Sequence, residues 1–168
     1  MTVRTERLLL RPVEQRDAAA ITAALQDWEV TRWLSSVPWP YAREDAEWFI
    51  AEAEAGRVAP LAIMRDDALL GIIATDDELG YWLARAHWGQ GYMPEAAAAV
   101  VDAFFESRGE NLASSHLEGN ARSAAVLSGL GFREMRRQMR PSRPLGREVA
   151  SVVVELTRAD WQARRSGT

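Results

Sequence analysis

The stretch Glu78–Ala96, ELGYWLARAHWGQGYMPEA, governs how the rest of the chain is read. Leu79 to Ala84 has the bulky apolar character of a strand, and the residues from Pro94 onward run into a helical pattern. Between them Gly89 and Gly91 form a turn. Strand, glycine turn and helix N-terminus in succession outline an anion site. First-turn N–H groups have no carbonyl partners, the aligned peptide dipoles concentrate positive charge there, and glycine lets the backbone come close. A purely structural turn accounts for the same residues equally well. Two other phosphate motifs are excluded. GQGYMP has proline where a dinucleotide fingerprint needs its third glycine, and a P-loop needs a lysine, whereas all 20 basic residues here are arginine.

Downstream, Pro94 is expected as the first residue of a long helix, with Ala97, Val100, Val101, Phe104 and Phe105 as its apolar stripe and Gly109 as its stop. Leu112 to Leu117 is then a strand, Asn120 caps a second helix, Phe132 opens a strand, and Val149 to Leu156 closes the series. The Val152-Val153-Val154 run is apolar on both faces, as suits a strand between neighbours. Upstream, Val58–Met64, Leu69–Thr75 and Leu79–Ala84 form an antiparallel meander around the turn at Arg65 to Asp67. Earlier still come a strand at Leu8 to Val13, a helix from Asp17, a loop from Trp33 to Tyr41 carrying Pro38 and Pro40, and a helix from Ala42 to Ala55. This alternation predicts one mixed α/β (α+β) domain spanning residues 1–168.

Composition narrows the chemistry. At 168 residues, 48% hydrophobic and 26% charged, with no apolar run approaching the ~20 residues of a membrane span, the chain reads as globular, cytoplasmic and without a membrane partner. The absence of cysteine removes disulfides, thiolate metal sites and a cysteine nucleophile together. His87 and His116 form no ligand cluster, so no metal is expected. A net charge of −4 argues against nucleic acid as a partner; only the six arginines from Arg133 to Arg147 point the other way, and a solvated strand face explains them better.

The series GYWL, WGQGYMPEA and, about thirty residues later, NARSAAVLSGLGF resembles the GNAT superfamily, in particular its ribosomal-protein N-acetyltransferase-like branch. TERLLLRP, WPYAREDAEWFI and VVVELTRADW extend the resemblance to nearly the whole chain. It implies the GNAT acyl-CoA acyltransferase fold, with a mostly antiparallel splayed sheet of about seven strands flanked by four helices. It also implies acetyl-CoA as acyl donor and a primary amine, on a protein N-terminus or a small molecule, as acceptor. A homodimer is compatible with the family.

Position by position, the resemblance implies that the acyl-pantetheine arm lies where the strand at 79–84 parts from that at 112–117. Backbone groups of Trp82, Leu83 and Ala84 would pair with the arm, and an N–H there would face the developing oxyanion. The loop Trp88, Gly89, Gln90, Gly91, Tyr92 and Met93 would hold the pyrophosphate, with Arg85 and Arg122 as candidates for further phosphate contacts. Asn120 would touch the arm, and Ser123 would sit near the sulfur as proton donor to the thiolate. Trp33, Trp39 and Tyr41 resemble the family's lip over the acceptor. Each has a plainer alternative: Asn120 as helix cap, Ser123 as a first-turn residue, the aromatics as packing around prolines.

Alkyl and α-amines are largely protonated near neutrality, with reference pKa values of about 10.4 and 7.7–8.0, so transfer needs a base. His116, Glu118 and Glu78 are the candidates. Two departures from the family pattern concern the pyrophosphate grip: Met93 adds bulk where a small residue is usual, and Pro94 removes a main-chain donor. They motivate an alternative, a non-catalytic relative that senses acyl-CoA. Ala42, where a capping Ser or Thr is usual, is expected to weaken its helix by about 0.5–2 kcal/mol and to loosen the lip.

Overall fold

A computed structural model describes residues 2–167. In chain order these form β1 (Val3–Arg4), β2 (Leu9–Pro12), α1 (Ala18–Leu25), α2 (Trp28–Thr31), α3 (Arg43–Glu54), β3 (Leu61–Arg65), β4 (Ala68–Thr75) and β5 (Leu79–Leu83). There follow α4 (Tyr92–Ser107), β6 (Leu112–Leu117), α5 (Ala121–Gly129), β7 (Arg133–Ser142), β8 (Arg147–Leu156) and α6 (Arg158–Ser166). The strands make one open sheet in the order β1-β2-β3-β4-β5-β6-β8-β7, antiparallel at every step except β5–β6. The expected mixed α/β class and splayed, mostly antiparallel sheet are present. Among the described residues there are eight strands where about seven were expected, and six helices where four were expected. The added elements, β1, α2 and α6, are short or strongly polar and give little apolar periodicity to read.

The pleat sends alternate side chains into two cores. Leu61 and Ile63 of β3 join Leu10, Phe105, Leu127 and Leu156 beneath α4 and α5, while Ala62 and Met64 join Ile21, Val30 and Ile50 beneath α1 and α3. The stripe on α4 is buried as expected, Phe105 completely; emptying such a site costs about 3–5 kcal/mol. β8 lies between β6 and β7, which accounts for its two-sided apolar run. Asp66 and Asp67 make the tight β3–β4 turn, both with positive φ.

β4 and β5 are held unusually close at one point. A Cβ placed on Gly71 would lie 2.0 Å from the Trp82 carbonyl oxygen, so only glycine fits where the meander meets the far end of β5. On its other edge β5 touches β6 through a single register pair, Leu79 with Ser114, reinforced by the Ser114 hydroxyl donating to the Leu79 carbonyl at 2.7 Å. Beyond that pair the two strands part, and the edge of β5 from Gly80 to Leu83 has no partner strand.

Candidate active site

The parting of β5 and β6 is bounded on one side by the glycine loop. A 3-10 turn over Arg85–His87 leads into Trp88, whose indole N–H donates to the Leu83 carbonyl at 2.9 Å and ties the loop to the strand end. Gly89 and Gly91 take φ of +70° and +78°, a region that strains any other residue, and nothing lies near the missing Cβ of Gly89. Gly91 is the N-cap of α4, so the helix begins at Tyr92 and Pro94 is its third residue, not its first. That position still has no intrahelical partner for an N–H, so proline costs the helix nothing, and Tyr92 and Met93 keep theirs for an anion. Met93 does not crowd that approach: its side chain is turned into the core, 5% exposed. Open space above Gly89 and outward-facing first-turn donors fit a pyrophosphate group.

Arg7 braces this loop from the opposite side. Its guanidinium donates to the Gln90 carbonyl at 3.0 Å and to Glu95 at 2.6 Å and lies over the Tyr92 ring. Glu95 also accepts from the Thr5 hydroxyl and the Arg7 N–H, which outweigh its burial and hold its carboxyl below the usual range. Gln90 contributes its backbone only, its side chain folding back to the Ala86 carbonyl at 3.0 Å.

Across the gap, Asn120 caps α5 by accepting from the Ser123 N–H at 3.3 Å. The Ser123 hydroxyl is 2.9 Å from the Tyr81 hydroxyl, which reaches across from β5. Burial pushes the Tyr81 phenol up to about 12, against a smaller opposing effect of the Ser123 hydrogen bond, so it remains a proton donor at neutrality. Tyr81 was missed in the sequence because a strand tyrosine has no motif of its own; its proximity to Ser123 arises only from the sheet topology.

Two cavities meet at this pair. The first, about 350 Å³, is walled by Trp82, Leu83, Trp88, Gly89, Met93 and Arg122. The second, about 310 Å³, holds Phe49, Glu78, Ser115, His116 and Arg140. Trp33, Leu34, Tyr81, Trp82, Asn120 and Ser123 line both.

The structure thus brings Trp82, Leu83, Trp88, Gly89, Gly91, Tyr92, Met93, Asn120 and Ser123 to one cavity, and Glu78 and His116 to the adjoining one. It corrects two expectations. Ala84 has no N–H to spare for an arm, because it donates to the Leu70 carbonyl, and its carbonyl already accepts from His87. Of the aromatic lip only Trp33 reaches the cavities: Trp39 packs on Trp28, and Tyr41 is buried in the core beneath α3, where burial raises its phenol to about 12. As expected, Ala42 offers no side-chain cap to the first turn of α3, although the Asp45 carboxylate accepts from the Ala42 N–H at 2.8 Å. Glu118 faces away, paired with Arg137 at 2.9 Å. Of the phosphate candidates, Arg85 pairs with Asp27 and Arg122 lies over the Trp88 ring at 3.7 Å, beside the loop.

Residues 7–133 match the family model described as an acetyltransferase (GNAT) domain. The chain belongs to the GNAT acetyltransferase family. It is similar to the uncharacterized N-acetyltransferase p20 of Bacillus licheniformis, 30% identical over 147 residues that cover 79% of this chain and 83% of that protein. Among solved structures, a GNAT-family acetyltransferase from Bacillus anthracis superposes with a TM-score of 0.83 at 19% identity, covering 95% of this chain and 99% of the other. RimL, a ribosomal L7/L12 alpha-N-protein acetyltransferase solved with coenzyme A, superposes at 0.78 with 16% identity, covering 94% and 98%. These likenesses at low identity establish the GNAT fold. No helix of the described residues is long and apolar enough to cross a membrane, and among those residues no group of acidic, histidine or cysteine side chains could hold a metal.

Proposed function

We propose that this GNAT protein transfers acetyl from acetyl-CoA to the nitrogen of a primary amine by direct attack in a ternary complex. The observation that carries the reading is the meeting of two cavities at the parted strands. One is backed by the glycine loop and helix N-terminus; the other contains a carboxylate and an imidazole. Solved relatives in complex with coenzyme A, or with acetyl-CoA and AMP, support the donor assignment. With no cysteine, the usual thiol carrier of an acyl-enzyme is missing, which favours a single transfer.

An alkylammonium loses one proton through Glu78 or His116, directly or by water. The neutral nitrogen attacks the thioester carbonyl, where the Leu83 N–H, on the edge of β5 that faces away from β4, stabilises the oxyanion. The C–N bond forms, the C–S bond breaks, and the nitrogen sheds a second proton. The thiolate takes up one proton from the Ser123 hydroxyl, Ser123 recovers it from Tyr81, and the second proton shed by the nitrogen returns to Tyr81 through solvent, so one proton is released per turnover. Because a thiolate of reference pKa ~8.5 departs without much help, Ser123 assists and does not dominate.

A thiol-release assay over amines and N-terminal peptides, with both substrates varied, tests this. Intersecting double-reciprocal lines are expected; parallel lines would rule out the ternary complex. The burial of Met93 and the place of Pro94, where no intrahelical partner exists for an N–H, support the catalytic reading over a non-catalytic relative. Likeness to ribosomal-protein acetyltransferases supports protein N-termini as one acceptor class, a cytoplasmic setting fits it, and the acceptor cavity itself supports a narrower one.

A further inference from the structure

The acceptor cavity contains a group that the transfer reaction does not need. Arg140, near the end of β7, pairs with the Glu78 carboxylate through long contacts of 3.4 and 3.5 Å from its two Nη atoms, while its Nη1 donates to the Ser115 hydroxyl at 2.8 Å. Ser115 in turn donates to Glu78, 3.1 Å from either oxygen. Asp76 also lines the cavity, held by the Ala59 N–H at 2.9 Å, and Glu78 is the carboxylate that stands beside Arg140.

A simple amine would be penalised here, because a fixed guanidinium beside Glu78 repels the incoming positive charge. The arrangement becomes favourable when the acceptor carries its own carboxylate. Glu78 and Arg140 are neighbours, so the matching ligand bears its two opposite charges on the same carbon; a diamine or an ω-amino acid separates its groups too far. Trp33, Phe49, Ile72 and Trp82 give the space of about 310 Å³ an apolar stretch of wall, beside the polar Ser35, Ser36, His116 and Asn120. A peptide N-terminus presents a neutral carbonyl where the guanidinium needs an anion, leaving Arg140 without a charge partner.

We propose that the acceptor is a free α-amino acid with an apolar side chain, its ammonium at Glu78 and its carboxylate at Arg140. This rests on the acetyl-transfer reading above. The test compares L-leucine, L-methionine and L-phenylalanine with their amides and with phenethylamine, by thiol release, after calorimetry has measured acetyl-CoA binding. The acids are expected to exceed the amides about 10–100-fold in kcat/KM, although the amide amine is the less protonated of the two. In R140Q the ratio should shrink to within about threefold, and R140K should restore part of it, a pattern that a merely structural arginine would not give. Amides or phenethylamine used as well as the acids would overturn the proposal. So would acetyl-CoA binding with no transfer to any of the three acids, which leaves the broader reading standing. Absence of acetyl-CoA binding would instead remove both.

Discussion

The two cavities that meet at Tyr81 and Ser123 are built in different ways. On the donor side, residues 82–93 are consecutive, and backbone supplies most of the chemistry: two left-handed glycines, the first-turn N–H groups of α4 and the free edge of β5. The acceptor side draws single side chains from distant places, Trp33, Phe49, Glu78, Ser115, His116 and Arg140, and chemistry there depends on their charges. Backbone sites depend on conformations that few residues adopt, so they leave a local pattern. Side-chain sites can be re-specified one residue at a time without disturbing the fold, which is how one scaffold serves many acceptors.

Substitutions should separate the two sides. The largest effect belongs to their common wall: Gly71→Ala drives a methyl into the Trp82 carbonyl, and a loss of about 3 kcal/mol in urea unfolding is expected, with both substrates affected. Near wild-type stability would mean that β5 is not pinned there. Gly91→Val confines the damage to the donor side. At φ +78° a branched residue is strained, and its Cβ meets Arg7 at 3.3 Å, so KM for acetyl-CoA should rise about 10–100-fold while KM for the amine stays within about twofold. A parallel rise in both constants would dissolve the distinction between the cavities.

Tyr81→Phe acts at the junction. The ring is kept and the hydroxyl facing Ser123 is lost, so kcat should fall about fivefold to tenfold with either KM little changed. An unchanged kcat would reduce Tyr81 to packing. The smallest effect is one of pH. Tyr41 and Tyr81 are both raised by burial from 10.0 to about 12, so the folded protein holds protons that the unfolded chain releases. Their contribution is intact below pH 10 and is lost progressively between pH 10 and about 12, visible as a falling melting temperature over that interval. Tyr41→Phe should remove part of the slope, and Tyr81→Phe the rest.

The same contrast explains what could be read beforehand. Strand, turn and helix at 79–105 were legible because apolar periodicity and glycine placement are local signals, and the cap at Asn120 was legible for the same reason. The start of α4 was misplaced by two residues because Gly91, with its left-handed φ, is a better N-cap than the sequence alone reveals. Tyr41 looked like part of a lip because it stands among prolines and tryptophans; only packing against α3 shows it to be core. Arg140 was hidden within a basic strand whose other arginines are solvated, and nothing in sequence distinguishes the one that sheet order brings beside Glu78. Ala84 was assigned by its place in a motif, but its N–H is already taken by the Leu70 carbonyl.

The central claim, that the glycine loop and the start of α4 grip the donor, is tested most directly by calorimetric titration of the wild-type protein and Gly91→Val with acetyl-CoA. One molecule should bind per chain in the wild type, with affinity reduced about 10–100-fold in the variant. No binding to the wild type, or equal affinity in both proteins, would contradict it.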